Sequence, residues 1–197
     1  MEEHELIRAF IAIELPARIA QGLEKIQDGL KDETNKVAWV KPENIHLTIK
    51  FLGDIETNKI DSITKVLEDA AGNLSNFKIS IKGIGAFPTI ENPRVLWVGI
   101  EEDDTNISQL YNNLEHGLTA LGFEKEQRTF KPHLTLGRVK FLKDKKLLKQ
   151  RFEKMADINL GQFTAASLYL FESKLTPEGA VHTKLKEVKF KRTGDGL

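Results

Sequence analysis

The chain has 197 residues, with 29 Lys and Arg balanced by 29 Asp and Glu, and 40% of its residues are hydrophobic. That is enough apolar material to bury a sizeable core in one compact unit, and disorder is not needed to explain the composition. There is no cysteine, which excludes a disulfide framework, a thiolate metal site and a cysteine nucleophile. Met1 to Glu5 is acidic where a signal peptide would be basic, and no apolar run reaches membrane-spanning length, so the expectation is a soluble cytoplasmic protein.

Two periodicities alternate along the chain. Leu6 to Leu15 alternates as a central strand, and Pro16 then opens a helix whose stripe is Ile19, Leu23, Ile26 and Leu30. Val37 to Val40 and Ile45 to Leu52 read as strands joined by a turn over Lys41 to Asn44, with Gly53-Asp54 closing the second. A helix from about Asn58 stops near Gly72-Asn73. Phe77 to Gly85 and Val95 to Ile100 are strands on either side of an ordered loop that holds two prolines.

Ile107, Leu110, Leu114, Leu118 and Leu121 form the next helix, ended by Gly122. A strand ending at Gly137 and a lysine-rich helix from about Asp144 to Met155 follow. Gly161 to Phe171 and Val181 to Phe190 are the last strands, separated by a Thr176 to Gly179 turn, and the tail from Arg192 is expected to fray. Strand pairs linked by turns (37 to 52, 77 to 100, 161 to 190) favour antiparallel pairing. The fold class expected is α+β: two pseudo-symmetric lobes, each a mainly antiparallel sheet with helices on its outer face, and a cleft between them. No linker divides residues 1–197, so they are taken as a single bilobal domain.

One short phrase occurs twice: His46-Leu47-Thr48-Ile49 and His133-Leu134-Thr135-Leu136. On a strand, His and Thr two residues apart face one way and the aliphatics the other, so each copy is a polar platform on a buried strand. Each copy is announced by a Lys-Pro pair, Lys41-Pro42 and Lys131-Pro132, and proline favours an extended approach that keeps helix out. From Lys125 to Lys154 there are eleven Lys and Arg against three acids. That run is either a phosphate-attracting rim or a solvated lysine-rich helix with its loop.

In-line displacement at phosphorus requires a base on the incoming oxygen and an acid on the departing one, from opposite sides. Two imidazoles on pseudo-symmetric lobes meet that requirement, because histidine titrates near neutral pH and can serve in either form. The threonine hydroxyls can donate hydrogen bonds to the non-bridging oxygens. A zinc site fits less well: the spacing is His-x-Thr, threonine is a poor ligand, and no carboxylate adjoins either histidine. Neither a metal nor a cofactor is expected. His4, His116 and His182 are read as structural or solvent-exposed.

The two His-x-Thr copies resemble the paired signatures of the two-histidine phosphoesterases. Nearly end to end, the chain is similar to the RNA 2′,3′-cyclic phosphodiesterases, also called the 2′-5′ RNA ligase family. The residues that carry this include Phe10-Ile11-Ala12-Ile13, Trp39-Val40, Lys50-Phe51-Leu52-Gly53, Gly85-Ala86-Phe87-Pro88, Arg94 to Gly99 and Leu170-Phe171-Glu172-Ser173. The resemblance implies hydrolysis of a 2′,3′-cyclic phosphate at an RNA end, tRNA fragments or nucleotides included, to a 2′-phosphomonoester. His46 would give a proton to the departing 3′-oxygen, His133 would activate water, and Thr48 and Thr135 would hold the phosphate oxygens. Arg138 is either a further phosphate or ribose contact or a plain surface arginine. Phe10, Trp39 and Phe87 are candidates to stack on the terminal base or to sit in the core. Gly137, where the family often has a larger residue, implies a change of packing. The alternatives are 2′-5′ ligation of an RNA 5′-hydroxyl by the reverse reaction, or an RNA-end binder without catalysis. A monomer is expected.

Overall fold

The computed structural model describes residues 5–101, 105–177 and 179–192. His4 and the tail from 193 onward lie outside the described residues. Its elements in chain order are β1 (Leu6–Glu14), α1 (Ala17–Leu30), β2 (Lys36–Trp39), β3 (His46–Glu56), α2 (Ile60–Ala71), β4 (Phe77–Pro88), β5 (Pro93–Glu101), α3 (Thr105–Ala120), β6 (His133–Phe141), α4 (Lys145–Glu153), β7 (Asn159–Ala165), β8 (Ser167–Thr176) and β9 (Gly179–Lys189). None of the described helices is long and apolar enough to cross a membrane.

The strands form one curled sheet in the order β7-β4-β5-β6-β3-β1-β8-β9, and every pairing between named strands is antiparallel. It divides into two lobes, β7-β4-β5-β6 and β3-β1-β8-β9, which meet through a single register pair, Leu47 with Leu134. The helices lie on the outer side, and two of them, α1 and α3, pack on the lobe opposite to the strand they follow. Although α1 follows β1, its Arg18 donates to the Leu160 and Gln162 carbonyls of β7 at 3.2 and 2.7 Å. Helix α3 follows β5, yet packs on β3 and on α2.

Three sequence expectations need correction. Strand β2 does not pair with β3 across the Lys41 to Asn44 turn; it lies along β6, with Val37 opposite Val139 and Trp39 opposite Gly137. The reason is that Pro42–Asn44 forms a 3-10 turn, so β2 and β3 line up end to end along one edge of β6. Pro42 thus starts a helical turn instead of preventing one, its fixed φ suiting the first position. The run from Gly161 to Phe171 is two strands, since the chain leaves β7 at Ala166 and crosses to the other lobe as β8. The two-proline segment, Phe87 to Arg94, is loop only over 89–92, with β4 reaching Pro88 through a cis Phe87-Pro88 bond and β5 starting at Pro93.

Between sheet and helices lies a core in which Ile11, Leu23, Leu47, Ile63, Leu110 and Leu134 are sealed from solvent. One ion pair is buried within it. Lys50 Nζ meets a Glu115 carboxylate oxygen of α3 and donates to the Glu124 carbonyl at 2.9 Å, while the other Glu115 oxygen accepts from the Glu126 N–H at 3.0 Å. Removing one partner leaves a buried charge uncompensated, whereas replacing both with apolar groups does not. Lys50→Met is therefore expected to cost about 3–5 kcal/mol in urea unfolding, and Lys50→Met with Glu115→Leu to recover most of that loss.

Candidate active site

Strands β3 and β6 each start at a histidine, and Leu47 and Leu134, both 0% exposed, point into the core between them. The four polar neighbours therefore point to the opposite, concave face. With Leu47 opposite Leu134, antiparallel register places His46 across from Thr135 and Thr48 across from His133. The two histidines stand on a diagonal, about 7–8 Å apart at the backbone by ordinary sheet spacing. All four side chains are half-buried. Gln27 of α1 holds this junction from the core side, donating to the Val40 carbonyl at 2.7 Å and the Leu136 carbonyl at 2.8 Å.

Beyond each His-x-Thr the ladder slips by one residue. On β3, Phe51 pairs with Phe10, Thr48 with Ala12 and His46 with Glu14, so Ile49 and Lys50 share one turn of the alternation and both point inward. On β6, Arg138 pairs with Val95, Thr135 with Trp97 and His133 with Gly99, so Leu136 and Gly137 do the same. Such bulges restart the alternation. Arg138 consequently shares the concave face with His133 and Thr135, and Phe51 occupies the matching place on the other lobe. Strict alternation would have turned both away. Strand β6 also runs four residues past Gly137, its expected end. A Cβ at Gly137 would lie 2.7 Å from Val37 Cγ1 and 3.0 Å from Trp39 Cε3, so glycine lets β2 close on β6. Trp39 packs there against the core and does not line the concave face.

The two histidines have different surroundings. His46 stacks on Phe10 at 4.5 Å, and Phe10 stacks on Phe171 at 5.2 Å. Phe10 is only 2% exposed, so it supports the imidazole and cannot also stack on a base. His182 of β9 stands edge-on to both rings, 5.2 Å from His46 and 4.9 Å from Phe10, with its Nδ1 buried and without a hydrogen-bond partner. An open cavity of about 470 Å³ beside this cluster is lined by Glu14, Asn44, His46, Phe171, His182 and Lys184, among others. Sequence reasoning set His182 aside, because only the β8–β9 pairing carries it there; His116 is exposed, as expected.

His133 is held edge-on by Phe87 at 4.9 Å, with Trp97 at 6.3 Å, and its Nδ1 lies 2.6 Å from the Lys131 carbonyl. A neutral ring donating from Nδ1 leaves Nε2 as an acceptor. Burial lowers the His133 pKa, the Lys131 hydrogen bond opposes that, and the Arg138 cation adds to the lowering. Burial lowers His46 further, to about 4, aided by His182 and opposed by a hydrogen bond to the Asn44 backbone. Of the basic run, α4 packs against α1 on the outer side, so its lysines are a solvated helix face, while Arg138 lies on the concave face. No group of three or more His, Asp or Glu suited to a metal ion occurs among the described residues.

The sequence profile of the family described as LigT like Phosphoesterase matches twice, over residues 13–97 and 98–182, one match for each His-x-Thr phrase. The chain belongs to this family. It is 38% identical to an RNA 2′,3′-cyclic phosphodiesterase of Methanocaldococcus jannaschii, covering 92% of this chain and 99% of that protein. A Thermotoga maritima protein of the same name is 34% identical, over 93% of this chain and 96% of the relative. Among solved structures, a Thermus thermophilus protein superposes with a TM-score of 0.79 at 24% identity, covering 95% of this chain and 100% of the other. Escherichia coli LigT, solved with 3′-AMP, gives a TM-score of 0.75 at 23% identity, with the same coverage. These likenesses establish the curled bilobal sheet as the family fold.

The lowered pKa of His46 makes stability depend on pH. Its folded value lies below the ordinary 6.5, so the unfolded chain binds more protons between those values, and stability falls as pH drops from about 6.5 through 4. The share due to His46 is about 3 kcal/mol, full above pH 6.5 and lost by about pH 4. Urea unfolding at a series of pH values is expected to show that share in the wild type and not in His46→Gln. The carboxylates titrate equally in both proteins and cancel from the difference.

Proposed function

We propose that the chain is an RNA 2′,3′-cyclic phosphodiesterase that works by histidine acid–base catalysis without a metal ion, leaving a 2′-phosphomonoester. The observation that carries this reading is the pair of His-x-Thr platforms on one concave face, set diagonally about the Leu47–Leu134 pair. The relatives bearing that name match over nearly their whole length. The cyclic phosphate sits between the four side chains, with Thr48 and Thr135 hydroxyls donating to its non-bridging oxygens.

His133, neutral and with Nδ1 turned to the Lys131 carbonyl, takes a proton from water at Nε2 as the water oxygen attacks phosphorus. The bond from phosphorus to the 3′-oxygen breaks, and His46 gives that oxygen its proton. Burial keeps His46 neutral in the free protein, and the phosphate anion offsets that by favouring the imidazolium. Arg138 is a phosphate or ribose contact on the same face. Each turnover exchanges the protonation states of the two histidines, and solvent restores them. Water far outnumbers RNA 5′-hydroxyls, so hydrolysis is the forward reaction and 2′-5′ joining its reverse. The 197 residues act as one bilobal monomer, and the cysteine-free composition is in keeping with a cytoplasmic setting.

The test is an RNA ending in a 2′,3′-cyclic phosphate, incubated with the protein and a chelator. A 2′-phosphomonoester product is expected; retained binding without product would instead support an RNA-end binder. His46→Ala and His133→Ala should each lower kcat by about 10²–10⁴-fold. Circular dichroism should show the fold intact in both, and near-full activity in either would contradict the paired acid and base.

A further inference from the structure

The proton transfers proposed for His46 and His133 make no use of His182, which nevertheless stands against His46. It is a half-buried residue of β9. Its ring centre lies 5.2 Å from that of His46 and 4.9 Å from that of Phe10, perpendicular within about ten degrees to both, while His46 and Phe10 are stacked at 4.5 Å. Phe10 thus covers a face of the imidazole and His182 an edge. Beyond that edge lies the open cavity of about 470 Å³, whose wall includes both histidines.

One residue braces this contact from both ends. The Asn44 side-chain amide donates to the Ala180 carbonyl at 2.7 Å, fixing β9 two residues before His182, and the Asn44 backbone holds the His46 ring by a hydrogen bond. His133 has the matching bond to Lys131, but its ring meets Phe87 and Trp97 instead of a histidine. His182 Nδ1 is buried without a hydrogen-bond partner. A charged ring would bury an N–H donor there with no acceptor, which favours a neutral ring, and burial lowers the His182 pKa in the same sense. The other charged groups on the cavity are Glu14 of β1 and Lys184 of β9, paired at 2.7 Å, with Glu24 of α1 and Glu43 of the turn before β3; His133 lies diagonally on β6. The carboxylates outnumber the lysine and would favour a charged His46. That His46 is nonetheless pushed down to about 4 is due first to burial, to which its ring neighbours contribute.

We propose that His182 is a positioning residue for His46: by closing the ring edge that Phe10 leaves open, it keeps the imidazole flat on Phe10 and shuts water out from the cavity side. This rests on the reading of His46 as the acid and deepens it. An imidazolium formed where its charge is disfavoured gives up its proton readily, so a ring kept dry until an anionic phosphate arrives is a stronger acid than one in water.

The experiment follows the His46 ring signal of the free protein by NMR from about pH 5 to 8, the signal being assigned by its loss in His46→Gln. In the wild type it is expected to stay close to its neutral position throughout. In His182→Ala water reaches the ring edge, and the signal is expected to titrate within this range, toward the ordinary value of about 6.5. His182→Phe fills the edge without a ring nitrogen and should restore the wild-type behaviour. A His46 signal that stays neutral in His182→Ala overturns the proposal. So does a phenylalanine variant that titrates like the alanine one, because the nitrogen and not the closed edge would then be at work. His182 is half-buried on an edge strand between the exposed Val181 and Thr183, so both variants fold. With a 2′,3′-cyclic substrate, the acidic limb of kcat/KM reports the free protein; it is expected to move to higher pH in His182→Ala and to return in His182→Phe, and an unmoved limb overturns the proposal. If the wild type turns over no cyclic phosphate, the acid reading fails on its own, and the NMR titration still decides whether His182 closes the ring edge.

Discussion

The site depends on the pairing of Leu47 with Leu134. It is the single register pair through which β3 joins β6, and therefore through which one lobe joins the other. Both leucines are fully buried, so the free energy of removing them from water holds the lobes at a fixed register. A slip of one residue would turn His46 and Thr48 into the core and expose leucine and isoleucine on the cleft. The placement of the four polar side chains and core packing are thus two faces of one constraint. Gln27 reinforces it from the helix layer, because its amide donates both to the Val40 carbonyl just before the turn that leads to β3 and to the Leu136 carbonyl on β6.

Within this symmetric frame the two halves have diverged. His46 rests on a small aromatic cluster, Phe10 with Phe171, which lies on the concave face apart from the main core, and a third histidine closes its edge. His133 is set edge-on against Phe87, with Trp97 packed alongside, and has a permanent cation in its field instead of a titratable group. Identical side chains in different fields bind protons differently, as the proposed acid and base would have to. The duplication supplies the geometry, and the neighbours set the protonation.

The α+β class, most helices and strands, the antiparallel pairing and the two His-x-Thr platforms were legible because each depends on local periodicity. The solid parts were those where one face is apolar and the other is not: β1, α1, β4, α3. The errors have physical reasons. Strand β2 is too short to declare a partner, and its true neighbour β6 is about a hundred residues away. The join of β7 and β8 carries no proline or glycine, so nothing local marks the crossing between lobes. Phe10 looked available for stacking on a base, but its place behind His46 needs β1 to lie between β3 and β8.

By itself the sequence singled out the candidate site residues and the face they share. A His and a Thr two positions apart in an apolar frame can only present both polar groups on one face of a strand, and two copies make two such faces. The tertiary structure decided what stands beside them. Alternation at period two would have sent Arg138 away from His133 and buried Phe51, but a bulge after each phrase reverses both and puts Lys50 inside with Glu115. Whether a strand bulges is settled by the register of its neighbours, and His182 reaches His46 only through β8 and β9. Those pairings are contacts between distant parts of the chain, and local periodicity does not encode them.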